Sequence, residues 1–102
     1  MITAEKSLRR GRLYVEDTYL ELGVSGTVGQ RTILVEAMAL LDRALETERT
    51  ESEYVEQFES AIQRLEQLLN DMHGIRFNKD RTFTLQLVTT LRQISNGEEV
   101  SA

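Results

Sequence analysis

The chain of 102 residues has no cysteine, no proline and a single histidine. Without cysteine it has no disulfide, no thiol nucleophile and no thiolate metal site, a composition suited to a reducing cytosol. Proline interrupts helices and serves turns and sheet edges, so its absence favours long uninterrupted helices. The one histidine, His73, cannot supply the Glu-x-x-His pairs of a di-iron site, and no spacing supports a Ser–His catalytic pairing. No run reaches the roughly 18 apolar residues of a membrane span, and the opening "MITAEKSLRRGRLYVED" lacks the apolar core of a secretion signal. These absences predict a cytoplasmic protein that does not cross a membrane, holds no metal or cofactor and carries no catalysis.

What is present is a globular balance, with 40% hydrophobic and 28% charged residues. The length suits one domain, expected over residues 1–97 with a polar tail at 98–102. A domain of this size has an unfavourable ratio of surface to volume, which a second copy would relieve. The net charge is −5, and it is concentrated: residues 42–71 hold nine acidic and three basic side chains. A nucleic-acid binder shows the reverse, a concentrated basic face, so nucleic acid is not the expected partner.

Hydrophobic spacing predicts an all-α fold, a small bundle of three long helices and a shorter C-terminal one. In the first segment Ala4, Leu8, Gly11, Val15, Tyr19 and Leu22 share a stripe, with Thr3 as the expected N-cap. Leu13 and Leu20 lie well away from that stripe and suggest a contact with another chain. Gly11 on the stripe, at a cost of about 1 kcal/mol against alanine, predicts a close helix crossing. A second helix, Thr27 to about Thr47, is apolar around so much of its circumference that it is expected at the centre. A third, Ser52 to His73, carries a seam of Val55, Phe58, Ile62, Leu65, Leu69 and Met72 flanked by Tyr54, Ala61 and Leu68. Gly74 and Ile75 resemble a Schellman ending. Capping-box spacing at Thr27/Gln30 and again at Thr50/Glu53 marks two helix starts. The alternative to a hairpin is one continuous helix across residues 46–53, since Leu34, Leu41, Val55, Ile62 and Leu69 keep one heptad phase. After it, residues 75–88 alternate like a β-hairpin, but Phe83, Leu87, Val88, Leu91 and Ile94 form a longer helical stripe closed by Asn96-Gly97, and helix is preferred.

The stretch "LGVSGTVGQRT" concentrates three of the six glycines, Gly23, Gly26 and Gly29. It lacks the Gly-Lys-Ser/Thr ending of a P-loop, and helix rather than strand precedes it, so it reads as a turn: Gly23 closes one helix and Thr27 opens the next. Its leucine-glycine-valine-serine run resembles the turn of bacterial helix-turn-helix regulators, with one residue fewer between Ser25 and the Thr27-Val28 pair than is usual there. The resemblance implies DNA contacts by Gln30 and Arg31, with Arg9, Arg10 and Arg12 on phosphates.

Protein binding is the expected function, as an adaptor, assembly component or small regulator, with a homodimer expected. The expected interface is Leu13, Leu20, Tyr54, Val55, Phe58, Ile62, Leu65 and Leu69. The DNA-binding regulator is one alternative. The other is an acidic inhibitor that presents Glu56, Glu59 and Glu66 to a basic, nucleic-acid-binding site on a target.

Overall fold

The computed structural model describes residues 3–74 and 77–97, which form four helices and no strand. They are α1 (Thr3–Leu22), α2 (Val28–Leu45), α3 (Glu51–Asn70) and α4 (Asn78–Ser95). The Schellman partner Ile75 and the tail 98–102 lie outside the described residues. The fold is an all-α bundle in which each helix packs against the other three. At 18 residues α4 equals α2 in length.

Both capping boxes form. In each, the threonine side chain accepts from the backbone N–H three residues on, and Gln30 or Glu53 accepts the threonine's own N–H. The second box separates α3 from α2, so the chain makes a hairpin rather than a continuous rod. Arg49 Nε donates to the Ala44 carbonyl at 3.0 Å and covers one of the acceptors that the end of α2 leaves open. Residues 78–95 are helical, not a β-hairpin, because the stripe Leu87, Val88, Leu91 and Ile94 is buried continuously. Gly97, at φ +80°, stops that helix.

The start of α1 departs from expectation. Thr3 is already helical, and the Ala4 N–H is taken by Glu51 from the first turn of α3, at 3.0 and 3.2 Å to its two oxygens. Ala4 meets Glu51 and Gly11 meets Phe58 at the same sequence offset, so α1 and α3 run parallel. A Cβ on Gly11 would lie 2.9 Å from Phe58 Cζ and 3.3 Å from Leu91 Cδ2. Glycine there lets α1 settle against α3 and α4 together, as the stripe suggested.

Leu8, Val15, Leu34, Leu41, Phe58, Ile62, Leu65, Leu87, Leu91 and Ile94 form the centre of the core. Two expectations about faces change. The buried stripe of α3 runs through Tyr54, Phe58, Ala61, Ile62 and Leu65, so the seam is turned toward the flank and Val55 is left half exposed. The second helix is not enclosed: Val28, Val35 and Ala39 face outward, because α2 contributes one wall of the core like its neighbours. The third helix ends at Asn70, so His73 follows the helix and is exposed.

Candidate protein-binding interface

The turn between α1 and α2 is built by local hydrogen bonds. Gly23, at φ +51°, takes the left-handed conformation that ends α1. Its N–H donates to the Tyr19 carbonyl, and the Ser25 hydroxyl donates to the Leu22 carbonyl at 2.6 Å. Arg31 folds back from α2, its Nη1 donating to the Gly26 carbonyl at 2.5 Å and to the Gly23 carbonyl at 3.4 Å. The Thr27 hydroxyl donates to Asp80 Oδ1 at 2.8 Å while accepting from the Gln30 N–H. A Cβ on Gly29 would collide with the Asp80 carboxylate. Glycine at that position therefore admits a carboxylate of α4 to the N-terminus of α2, where free amides and the helix dipole favour an anion. The anion at this glycine-rich helix start is the protein's own Asp80.

Locking this turn fixes α1 and α2 as an antiparallel hairpin, held further along by Arg12, whose Nε donates to Asp42 Oδ1 at 2.7 Å. Arg12 also pairs with Glu16 at 2.7 Å. These two carboxylates raise its pKa, the hydrogen bond to Asp42 first.

The outer face of this hairpin is where the fold leaves apolar surface. Among the described residues seven large apolar side chains are exposed, and five belong to it: Leu13, Leu20, Val24, Val28 and Val35. Val24 is fully exposed, Val28 is 73% and Leu20 67% exposed. They border shallow grooves. Tyr19, Leu20, Val24 and Arg31 line one, and Tyr19, Arg31, Val28 and Val35 line the next. A third, toward the other end, is bounded by Leu13, Leu45 and the Arg12–Asp42 pair. Scattered apolar residues are ordinary on a protein surface; a row of them along one hairpin is the pattern of a binding face.

The residues singled out by sequence divide sharply. Leu13 and Leu20 are exposed on the face, and Val55 is exposed on α3. Leu69 is half buried. Tyr54, Phe58, Ile62 and Leu65, also expected at an interface, are at most 2% exposed and form the intramolecular core, so they offer a partner no surface. A heptad seam specifies burial without saying whether the same chain or another supplies the cover.

Of the acidic set, Glu59 and Glu66 are occupied. Arg92 of α4 donates to Glu59 at 3.1 Å and to Glu66 at 2.5 Å, and the two carboxylates, Glu66 first, raise its pKa. Glu56 is exposed. Of the residues implied by the helix-turn-helix resemblance, Gln30 is buried in its capping box and Arg31 clasps the turn. Arg9 pairs with Glu5 and Arg12 with Asp42 and Glu16, which leaves Arg10 exposed with no ion pair among the described residues.

Sequence reasoning did not find Val24, Val28 and Val35. A signal existed: Val28 and Val35 are seven residues apart and lie on the side of α2 opposite the Ile33, Ala37 and Ala44 stripe. Asp80 had no such signal, since its place over α2 is set by a packing between elements 53 residues apart.

Among the described residues no three His, Asp or Glu side chains gather as metal ligands, and no helix is long and apolar enough to cross a membrane. Comparison with known proteins finds no match: no family model, no curated protein and no solved structure matches the chain.

Proposed function

We propose that the protein is a non-catalytic protein-binding module, an adaptor or small regulator, that docks its partner on the outer face of the α1–α2 hairpin. The observation that carries this reading is the gathering of Leu13, Leu20, Val24, Val28 and Val35 on that one hairpin. Fully burying one such side chain is worth about 1.5–3 kcal/mol, so covering the row as a whole contributes on the scale of the roughly 4–15 kcal/mol that association costs. Tyr19 and the stems of Arg12 and Arg31 extend the apolar floor, while Glu16, Glu36 and Asp42 supply a polar rim. Conversely, the charged groups best placed for other chemistry are spent on each other, Arg92 on Glu59 and Glu66 and Arg31 on the turn.

The test is affinity capture from the native host with three forms of the chain: wild type, Leu20→Asp with Val28→Asp, and Val55→Asp. The expected result is a specific protein retained by the wild type and by Val55→Asp, and lost from the hairpin variant. Retention by the hairpin variant equal to wild type would contradict the proposed face.

A further inference from the structure

Resting on that reading, we infer that one occupant of this face is a second copy of the chain, docked across α1 in antiparallel register. The argument comes from the side of α1 that faces away from the core. At 100° per residue, Lys6, Arg10, Leu13, Asp17, Leu20 and Glu21 fall within an arc of about 100°, opposite the buried stripe of Ala4, Leu8, Gly11 and Val15. All six are exposed. The four charges are ordered along the helix, basic at the N-terminal end and acidic at the C-terminal end. None of the four makes an ion pair within the described residues; the neighbouring pairs use Arg9 with Glu5 and Arg12 with Glu16 instead.

That order is self-complementary in one orientation only. Against an antiparallel copy, a register that sets Lys6 opposite Glu21 of the second copy also sets Arg10 opposite its Asp17, and symmetry repeats both pairs. The two-fold axis then passes beside Leu13, which meets its own equivalent, and Leu20 lies against the aliphatic stems of Lys6 and Arg10 across the interface. A parallel arrangement would bring Arg10 against Arg10 and Asp17 against Asp17 and is disfavoured by charge. One helix face per copy is less than the roughly 1,200 Å² of a standard stable interface, so the dimer belongs to the weak, exchanging class. Its ion pairs are solvent-accessible and lose strength as salt is raised.

Sedimentation equilibrium over a wide concentration range at low salt tests this, with circular dichroism to verify that each variant is folded. The expected result is a reversible monomer–dimer equilibrium. Arg10→Asp, which sets two like-charged pairs in place of two attractive ones, weakens it about ten-fold. Adding Asp17→Arg to Arg10→Asp restores it, because the swapped pair is again complementary. A monomer at every concentration, or a dimer whose affinity ignores both substitutions, overturns the inference. A monomeric chain that still captures a different protein through Leu20 and Val28 would remove the second copy and leave the protein-binding reading in place. A dimer weakened by Val55→Asp and not by Leu20→Asp would remove both.

Discussion

Gly29 and Asp80 show how a single missing side chain places a charge. Alanine at position 29, in the first turn of α2, would gain part of the roughly 1 kcal/mol of helix propensity that it gains in a helix interior. Here its Cβ would drive the Asp80 carboxylate off the start of α2 and away from the Thr27 hydroxyl. The loss of a charge-assisted hydrogen bond and of a favourable charge at the helix N-terminus offsets that gain. The two sites are therefore coupled. In the wild-type background Gly29→Ala is expected to be neutral or destabilising; in an Asp80→Ala background it is expected to stabilise, by less than the roughly 1 kcal/mol of a helix-interior site. A double-mutant cycle from urea denaturation reads the difference, and strictly additive effects would contradict the packing described.

At the scale of the helix, the two capping boxes differ in one useful respect: α2 closes with Gln30 and α3 with Glu53. Hydrogen bonds from the Thr50 side chain and backbone lower the Glu53 pKa below its ordinary value of 4.5. A carboxylate with a depressed folded pKa contributes stability that is fully present above its unfolded value and disappears as pH falls through the folded one. Glu53→Gln keeps an acceptor for the Thr50 N–H but does not titrate. The melting temperature of wild type is expected to exceed that of Glu53→Gln at neutral pH, with the gap closing below about pH 4.5; a gap independent of pH would contradict it. These boxes were legible in sequence because capping is local, with partners three residues apart. So were the buried stripes of α1 and α4, although α1 also carries Leu13 and Leu20 on its outer side. The docking of those faces was not legible. Tyr54 and Phe58 read as an interface because a seam of this width fits either an intramolecular or an intermolecular cover, and only the placement of α1, at Gly11, decides between them. Arg92 bridging Glu59 and Glu66 is equally a product of tertiary packing, joining residues 33 and 26 positions apart.

For the molecule as a whole, the fold pairs part of its charge and buries most of the α3 seam, yet leaves a row of leucines and valines on one hairpin. The acidic middle segment, the most conspicuous feature of the composition, is partly neutralised by Arg92 and Arg12 once the chain folds. The exposed apolar surface accordingly lies mainly on α1, α2 and the turn between them rather than on α3. The most direct check is a dilution series followed residue by residue in amide ¹H–¹⁵N spectra. Concentration-dependent shifts are expected at Lys6, Arg10, Leu13, Asp17, Leu20 and Glu21, with the amides around Val55 and Leu85 unmoved. Shifts centred on α3 or α4, or none at any concentration, would contradict self-association through α1.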